Sequence, residues 1–404
     1  MKKMNSLKNK NIVIGVCGGI AIYKVLDAIS RLRKAEANVH VIMTKDAQEF
    51  IKPLTFMTMS NNPVHLDIFD PVDERFVEHI HLAKIADAIL IAPATANTIA
   101  KIANGFADNL LTATVLATKA PVILAPGMNS NMLNNPATIQ NLEVLKSRSF
   151  KFLSTNSGFL ACGDYGDGRM AEGIEIYNYL DEFFTKKDLA GMKVLVSAGP
   201  TIAPIDPVRY ITNHSSGKMG YAIAKRAKYR GAEVVLLAGK LSIEAEGIDN
   251  VIRVDTADEM FEAAKEIYPD VDAVIMSAAV SDYKLENVYE DKMKKTGDDL
   301  SLKLIRTPDI LKYLGEHKTK QILVGFAAET KDLHHYAKAK IESKNLDFIV
   351  ANNVKSKDAG FGHDTNIAEI IFENGENIQL PKMQKVELAD IILDNIKNLY
   401  KEID

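Results

Sequence analysis

The fold of the N-terminal half is decided by residues 12–32, which read IVIGVCGGIAIYKVLDAISRL. The apolar, β-branched run at their start is typical of a buried strand, and it stops at Gly18 and Gly19. Apolar side chains then recur at helical spacing, at Ile22, Val25, Leu26, Ile29 and Leu32. A strand, a glycine turn and an amphipathic helix in this order predict the opening of a βαβ unit.

The same alternation continues along the chain. Apolar runs predict three further strands, and two helices are predicted, the second with Asn135 as N-cap and Pro136 as its first residue. The strands span 39–44, 87–95 and 120–129, and the helices span 108–119 and 136 to about 148. This half therefore predicts a parallel sheet with helices between its strands.

The pattern begins again at residue 193 with the strand KVLVSAGPT, followed by a helix at 215–231 that serine opens and Gly231 closes. Four more apolar strands are predicted at 232–239, 272–280, 321–330 and 347–354. The predicted fold class is therefore α/β, with two doubly wound domains. A polar-rich joint at 178–192 gives domains at 1–190 and 191–404.

Composition excludes several classes of function. The net charge is −4, from 49 basic and 53 acidic side chains, so neither nucleic acid nor a membrane surface is an expected partner. Two cysteines cannot form a disulfide framework, which favours a cytoplasmic location. The start of the chain imitates a secretory signal, but a strand, turn and helix explain more of it. No apolar stretch reaches the roughly 18 residues that a membrane span needs.

Small and polar residues follow the strands of both domains. The segments are GG (18–19), PATAN (93–97), PGMN (126–129), GPT (199–201) and AAVSD (278–282). Ligands of such sheets bind beyond the carboxyl ends of the strands, so each domain is predicted to bind a nucleotide-like or phosphate-bearing ligand. Neither domain has G-x-G-x-x-G, and SSGKMG lacks the Ser or Thr that a P-loop needs. An NAD-dependent oxidoreductase is therefore a weaker alternative, as is a flavin-binding protein without enzyme activity.

Four segments make the first domain resemble the homo-oligomeric flavin-containing cysteine decarboxylases: IGVCGGIAIYK, HIHLAKIADAILIAPATANTIAK, APGMN and ACGDYGDGRM. The second domain resembles the phosphopantothenate–cysteine ligases in VRYITNHSSGKMG, AAVSDY, DKMKK and VGFAAET. From residue 15 to about 353, the chain resembles the family of bifunctional phosphopantothenoylcysteine decarboxylase/phosphopantothenate–cysteine ligases of coenzyme A biosynthesis. The resemblance implies a flavodoxin-like domain followed by a Rossmann-like ligase domain.

For the first domain the resemblance implies FMN as the cofactor. The implied cofactor-binding residues are Gly18, Gly19, Thr44, Thr95 and Asn97. Glycines at a helix N-terminus let the backbone approach a phosphate, where free N–H groups and the helix dipole favour an anion. For each threonine or asparagine, ordinary capping of a turn is an equally open explanation.

The resemblance also implies three catalytic residues for the decarboxylase. His79 matches the family pattern H-I-x-L-A-K, whereas His81 occupies its variable position; a lone histidine is otherwise more often structural. Asn129 ends the P-x-M-N motif and would position the substrate carboxylate. Just after this motif, Leu133 replaces the usual aromatic residue. Cys162, on a glycine-rich loop expected to be a mobile flap, would donate the proton that completes the product.

For the second domain the resemblance implies that phosphopantothenate attacks the α-phosphate of CTP, and that cysteine then displaces CMP from the acyl-cytidylate. Asn213 would hold the acyl-cytidylate, and Lys292 would reach the phosphates from a flap. The implied CTP-binding residues are Ser215, Ser216, Gly217, Met276, Ser277, Ala278, Asp282, Lys292, Pro308, Asp309, Ile310, Leu311, Phe326, Lys340 and Lys344. Without the resemblance, the lysines would be interpreted as solvated surface residues.

Mg²⁺ is expected with the triphosphate, but no carboxylate cluster in the sequence identifies its protein ligands. The phosphate-binding residues would suit ATP as well as CTP. The expected partners are the small-molecule substrates 4′-phosphopantothenate, cysteine, CTP and phosphopantothenoylcysteine. A homo-oligomer is also expected, trimer-based through the first domain and dimeric through the second, because flavin sites of this family lie between subunits.

Overall fold

The structure is a computed structural model that describes residues 5–69, 72, 77–159, 165–294, 301–329, 333–353 and 363–403. The chain divides into two compact units, one from Asn5 to Thr185 and one from Lys186 onward. Within the described residues, no helix combines the length and the apolar character that a membrane span requires.

The first unit contains eight strands and nine helices among its described residues. Its strands are β1 (Asn11–Val16), β2 (Asn38–Met43), β3 (Val64–His65), β4 (Ala88–Ala94), β5 (Val122–Pro126), β6 (Lys151–Phe152), β7 (Asn156–Phe159) and β8 (Tyr165–Arg169). Its helices are α1 (Ile22–Lys34), α2 (Ala47–Phe50), α3 (Pro53–Ser60), α4 (Glu78–Ile85), α5 (Ala96–Ala103), α6 (Leu110–Ala117), α7 (Ser130–Leu133), α8 (Pro136–Ser147) and α9 (Gly173–Phe184).

Strands β1 to β6 form one parallel sheet in the order β3-β2-β1-β4-β5-β6. If the two-residue edge strand β3 is left aside, the remaining order is the 2-1-3-4-5 order of flavodoxin-like folds. Strand β4 is buried along its whole length, because helices cover both faces of the sheet. The predicted flavodoxin-like architecture is therefore confirmed.

Two helices illustrate how the sequence specifies these elements. Helix α1 buries four of the five predicted apolar residues, and Leu26 is partly buried. Its last turn carries Arg31, Arg33 and Lys34, which complement the helix dipole. Helix α8 begins as predicted: the Asn135 side chain accepts a hydrogen bond from the Ala137 N–H, and Pro136 is the first helical residue.

The second unit contains fourteen strands and five α-helices among its described residues. Its strands are β9 (Lys193–Ala198), β10 (Ile202–Pro204), β11 (Tyr210–Thr212), β12 (Glu233–Ala238), β13 (Asn250–Arg253), β14 (Ala273–Met276), β15 (Tyr283–Leu285), β16 (Leu304–Arg306), β17 (Ile322–Glu329), β18 (Phe348–Asn353), β19 (Thr365–Asn366), β20 (Ala368–Phe372), β21 (Asn377–Gln379) and β22 (Met383–Gln384). Its helices are α10 (Lys218–Tyr229), α11 (Ala257–Ile267), α12 (Ile310–Glu316), α13 (Leu333–Lys344) and α14 (Lys385–Ile403).

Eight of these strands form a sheet in the order β13-β12-β9-β14-β17-β18-β20-β21. The first six are parallel and follow the Rossmann order 3-2-1-4-5-6, whereas β20 and β21 are antiparallel additions at one edge. The predicted Rossmann-like architecture is confirmed. Short hairpins pair β10 with β11 and β15 with β16 outside this sheet.

The structure corrects three sequence-based boundaries. Helix α10 begins at Lys218 rather than at Ser215, because Gly217 adopts the left-handed conformation, with φ of 74°, immediately before it. The predicted polar joint at 178–192 is helical in its first part, since α9 continues to Phe184. Residues 165–169, predicted as loop, form the exposed strand β8 of a hairpin with β7.

Candidate active sites

The first unit has a cavity of about 980 Å³ at the carboxyl ends of β1, β2, β4 and β5. Six side chains or glycines predicted to act in the decarboxylase line it together: Gly18, Gly19, Thr44, Thr95, Asn97 and Asn129. They come from four different strand ends, and the parallel sheet brings those ends to one edge. The cavity is therefore where the sequence predicted a ligand site.

The glycine turn before α1 fits an anion. A Cβ atom on Gly18 would lie 2.5 Å from the Asp46 Cβ, so this close approach requires glycine. A Cβ on Gly19 would have its nearest protein contact at 3.5 Å, on Pro93, which leaves space beside its backbone. The N-terminus of α1 has no side-chain cap and no acidic residue in its first turn. The dipole of this helix start and the open backbone of the glycine turn are thus suited to a phosphate.

The hydroxyl groups on the neighbouring turns also have local partners. Thr95 caps α5 by accepting a hydrogen bond from the Thr98 N–H at 3.3 Å. Thr44 accepts a longer one, at 3.4 Å, from the Ala47 N–H. Both threonines therefore cap turns, as the alternative interpretation held, and they line the cavity at the same time.

Asn129 lies where β5 passes into α7. Its Oδ1 accepts a hydrogen bond from the Asn131 N–H at 2.8 Å, which fixes the orientation of the amide. Close by, the Met128 N–H donates to the Gly168 carbonyl at 3.0 Å, so strand β8 is attached to the wall of the cavity. This contact brings the hairpin of β7 and β8 to the cavity, and Phe159 and Arg169 of the hairpin line it.

Cys162 lies outside the described residues, but both strands that flank it are described. The contacts that hold the base of this hairpin were not predicted from the sequence. The buried Lys24 ammonium donates to the Met170 carbonyl at 2.7 Å and pairs with Glu172 at 2.9 Å. Arg169 pairs with the same carboxylate at 2.7 Å. The base of the hairpin is therefore held to α1, the helix that begins at the glycine turn.

His79 does not line the cavity of its own chain. It is the second residue of α4, near the helix start as predicted, and its Nδ1 is buried without a hydrogen-bond partner among the described residues. The preceding residue, Glu78, is buried and pairs with Nδ1 of His65 on β3.

His40 lies beside this pair, with its ring 6.4 Å from that of His65. The Asn38 amide donates to Nε2 of His40 at 3.0 Å, which requires the neutral imidazole. Burial, with smaller effects of His65 and His81, lowers the pKa of His40 to about 4. His40 is therefore uncharged near neutral pH.

Cys17 can be set aside as a nucleophile. It is buried behind the glycine turn and accepts a hydrogen bond from the Thr98 hydroxyl at 3.3 Å. Burial raises the pKa of its thiol to about 11, so the reactive thiolate is scarce at neutral pH.

The second unit has a smaller cavity of about 450 Å³. Ten residues predicted to bind CTP line it: Met276, Ala278, Asp282, Pro308, Asp309, Ile310, Leu311, Phe326, Lys340 and Lys344. The other predicted residues, Ser215, Ser216, Gly217, Ser277 and Lys292, do not line it. The sheet edge thus gathers most of the predicted nucleotide contacts.

The charged groups of this cavity are partly paired with one another. The Lys344 ammonium lies 2.9 Å from the Asp309 carboxylate, which also caps α12 through the Lys312 N–H at 3.1 Å. Lys340 shares the same face of α13, one turn earlier, as its spacing predicted. A phosphate that approaches Lys344 would therefore compete with Asp309.

Arg306, which was not predicted from the sequence, lines the cavity from strand β16. The hairpin of β15 and β16 brings it there, because it pairs Arg306 with Tyr283, next to Asp282. Thr307 fixes the hairpin end by donating from its hydroxyl to the Ser281 carbonyl at 2.6 Å. No motif pointed to this arginine.

Asn213 contacts the loop that forms one wall of the cavity. Its amide donates to the carbonyls of Ala279 and Val280, at 3.1 Å each. After Asn213 and His214 the chain continues through Ser215, Ser216 and Gly217, and α10 begins at the next residue. The N-terminus of α10 has no side-chain cap and no acidic residue in its first turn. Like α1, this helix start is suited to an anion.

Lys292 is exposed, and its neighbour Met293 is held by a contact that the sequence did not reveal. The buried Asp206 carboxylate accepts a hydrogen bond from the Met293 N–H at 3.3 Å, and the Arg209 guanidinium donates to the Met293 carbonyl at 3.0 Å. Hydrogen bonds from Arg209 hold the pKa of Asp206 well below its usual range. The segment that carries Lys292 is thereby fixed to the loop before β11.

The described residues contain no group of three or more His, Cys, Asp or Glu side chains arranged to hold a metal ion.

Comparison with known proteins covers both units. The family model "Flavoprotein" matches residues 1–185, and the model "DNA/pantothenate metabolism flavoprotein C-terminal domain" matches residues 189–400. The coenzyme A biosynthesis bifunctional protein CoaBC of Bacillus subtilis (strain 168) is 46% identical over 400 residues, which cover 98% of each chain. That of Haemophilus influenzae is 47% identical over 398 residues, which cover 98% of this chain and 99% of the relative.

Among solved structures, the C-terminal domain of a CoaBC protein is 41% identical and covers 54% of this chain and 100% of its own, with a TM-score of 0.47. The family models and the full-length relatives together cover both units. The chain therefore belongs to the family of bifunctional coenzyme A biosynthesis enzymes, which carry a phosphopantothenate–cysteine ligase and a phosphopantothenoylcysteine decarboxylase on one polypeptide.

Proposed function

We propose that the first unit decarboxylates 4′-phosphopantothenoylcysteine with FMN bound in its cavity, and that the second unit uses CTP to join cysteine to 4′-phosphopantothenate. The observation that carries the proposal is that six predicted decarboxylase residues line one cavity and ten predicted CTP-binding residues line the other. We further propose that the boundary between the two activities lies near residue 190.

The first cavity fits FMN. The uncapped start of α1 and the backbone of Gly18 and Gly19 would hold its phosphate. Thr44, Thr95 and Asn97 would bind the ribityl chain or the ring. When bound, FMN supplies the two-electron oxidation of the cysteinyl thiol to a thioaldehyde and later returns the hydride.

The residues of the chain position the substrate for this chemistry. Asn129, whose amide is held by the Asn131 N–H, would bind the carboxylate that leaves as carbon dioxide. The thioaldehyde β to that carboxylate accepts the electron pair released by decarboxylation, which gives an enethiolate. Cys162 is the proposed proton donor that completes the product, by resemblance to the family.

His79 is the proposed base, and we propose that it completes the cavity of a second copy of the chain. Two observations support this: His79 does not line its own cavity, and large apolar side chains are exposed on the same unit. The exposed side chains include Ile20, Leu54, Phe69, Phe106 and Leu116. Such exposure in a single chain is typical of an assembly surface, in line with the trimer-based oligomer predicted for the first unit.

In the second cavity, Phe326 would pack on the base, Asp282 would bind the ribose or base, and Lys340 and Lys344 would bind phosphates. Lys292 and the start of α10 would reach the phosphates from outside the present cavity wall, with Mg²⁺ bound to the triphosphate. Asn213, fixed on the Ala279–Val280 loop, would hold the acyl-cytidylate while cysteine attacks. Dimerisation through this unit is supported by exposed apolar side chains on its hairpins: Val208, Tyr210, Ile211, Tyr283, Leu304 and Ile305. A cytoplasmic location stays a prediction.

Two measurements test the proposal independently. Purified full-length protein should be yellow and release FMN on denaturation; colourless protein without FMN would contradict the decarboxylase proposal. The same protein should form CMP from CTP, 4′-phosphopantothenate and cysteine, and ATP should compete poorly. Formation of AMP at an equal rate would contradict the choice of CTP.

A further inference from the structure

We propose that Glu78 and His65 are positioning residues for His79, because they fix the first turn of the helix that carries it. This inference rests on the proposed role of His79 as the base. Glu78 and His65 are absent from every motif that identifies the family in this sequence, and the structure alone brings them together.

The first observation is the burial of Glu78. A glutamate in the first turn of a helix is normally solvated, yet only 4% of this side chain is exposed, and it pairs with Nδ1 of His65, itself 8% exposed. A buried carboxylate needs such partners, and here it has a ring N–H and the positive end of α4. Glu78 is therefore directed into the protein rather than left at the surface.

The second observation is that the two halves of α4 are held differently. Its later residues pack in the apolar core, where Leu82 is fully buried and Ile85 lies against the same cluster. Its N-cap, Val77, supplies no capping side chain. The Glu78–His65 pair ties the first turn to the sheet, at edge strand β3.

The third observation concerns His79 itself. Its Nδ1 has no hydrogen-bond partner among the described residues, so no hydrogen bond at that atom orients its ring. The helical turn that carries the ring therefore has a direct part in setting its position. Because His79 is adjacent to Glu78, a shift of the first turn displaces the imidazole directly, and displacements of about 1 Å cost on the order of 100-fold in rate.

The experiment uses the full-length, FMN-loaded protein and 4′-phosphopantothenoylcysteine, with the rate of flavin bleaching in a single turnover as the main readout. We expect Glu78→Ala and His65→Ala to lower this rate roughly 10- to 100-fold, with the KM for the substrate and the bound flavin unchanged. Glu78→Gln should stay within about threefold of wild type, because its amide oxygen accepts the same hydrogen bond. Glu143→Ala, on the exposed face of α8, is the matched control and should have no effect.

A double-mutant cycle with His79→Asn tests whether Glu78 acts through His79 or affects the rate independently of it. If Glu78 acts through His79, Glu78→Ala adds no further loss in the His79→Asn background. Additive losses, an unchanged rate in Glu78→Ala, or a Glu78→Gln variant as slow as Glu78→Ala would each overturn the inference. An unchanged rate in His79→Asn would instead contradict the proposed role of His79 as the base. This variant is measured first, so that this outcome is distinguished from a failure of the inference about Glu78.

Hydrogen–deuterium exchange gives a readout that does not depend on activity. Glu78→Ala should increase amide exchange in the peptide that covers α4, while the peptide that covers α8 stays at its wild-type level. Wild-type protection of α4 in Glu78→Ala would overturn the inference. The ligase activity of each variant, measured as CMP formation, should remain unchanged because it belongs to the other unit.

Discussion

The two cavities of this chain differ in the kind of residue that is predicted to contact the ligand. None of the six predicted residues that line the first cavity is charged, and the anion site there is a glycine turn at a helix start. Four of the ten that line the second are charged, and two of these, Asp309 and Lys344, pair with each other. Charged side chains also line the first cavity, at Lys24, Lys45, Asp46, Lys101, Asp108 and Arg169, so the difference concerns the predicted ligand contacts. We expect backbone shape to control phosphate binding at the first site, and side-chain charge to control it at the second.

The largest expected effect tests the role of backbone shape. Gly18→Ala should abolish flavin binding, because the added Cβ would lie 2.5 Å from the Asp46 Cβ and displace the turn. Gly19→Ala meets no protein atom closer than 3.5 Å, so any flavin lost from that variant must come from contact with the ligand. Flavin content is measured by absorbance of the purified protein, with ligase activity as the control. A yellow Gly18→Ala protein would contradict the prediction that backbone shape at this turn controls flavin binding.

The second prediction tests whether a substitution that destabilises the second unit leaves flavin binding by the first unit intact. The Arg230 side chain is fully buried and pairs with Asp188 and Asp394 at 2.8 Å each, and it donates to the Asp390 carbonyl at 3.2 Å. Arg230→Ala removes this buried cation, while Asp188 keeps its contact with Lys397 and Asp390 keeps its contact with Arg226. Loss of the charge-assisted hydrogen bonds should cost roughly 1.5–3 kcal/mol of unfolding free energy.

Ligase activity of Arg230→Ala should therefore be lost at a lower temperature than flavin binding. Thermal unfolding followed by flavin fluorescence and by CMP formation measures the two losses, and Arg253→Ala, at an exposed position, is the control. Simultaneous loss of both would show that the two units unfold together.

The third prediction concerns charge at the second site. Lys344→Met should raise the KM for CTP by about 10- to 100-fold, because a charge-assisted hydrogen bond contributes roughly 1.5–3 kcal/mol. The rate of decarboxylation should not change. Lys312→Met is the matched control, since that lysine is exposed and lies 3.9 Å from Glu316. An unchanged KM in Lys344→Met would show that shape controls the second site too.

The smallest expected effect is a pH dependence confined to the first unit. The folded protein holds the pKa of His40 at about 4, below its usual 6.5, mainly through burial. Between these values the unfolded chain binds the proton more readily. The contribution of neutral His40 to the free energy of unfolding is therefore complete above pH 6.5, and it is lost as the pH falls toward about 4.

After allowance for solvent screening, this loss should be about 1–2 kcal/mol. Urea unfolding followed by flavin fluorescence, at several pH values between 4 and 7.5, measures it. His40→Gln should flatten the curve, whereas His317→Gln, in the other unit, should leave it unchanged. A pH-independent wild-type curve would contradict the prediction.

Local patterns were enough to predict the central parallel strands of each sheet, the start of α8 and the sheet edge that carries each site. Apolar runs end where small residues begin, and Asn135–Pro136 specifies a helix start without help from distant residues. The start of α10 could not be predicted in this way. Ser215 imitates an N-cap, but the true start depends on Gly217, where a Cβ would meet Leu241 at 2.2 Å, a contact with a residue distant in sequence.

The site residues that were missed share a cause. Arg306 reaches its cavity through a short exposed hairpin without a clear apolar pattern, and Lys24, Glu172 and Arg169 meet only after the sheet has formed. Glu78 is equally hidden, because its partner lies on a two-residue strand. Polar contacts between distant segments leave no periodic trace in a sequence, whereas strand ends do.

The packing of helix α14 has a consequence for how the protein is made. Its side chains Leu388, Ile392, Leu393 and Ile396 are fully buried in the core of the second unit. The ribosome must therefore synthesise residues 385–403 before that core can close. The first unit has its whole core once residue 185 has emerged from the exit tunnel, so it can fold during translation. The core of the second unit can form only after α14 has been synthesised.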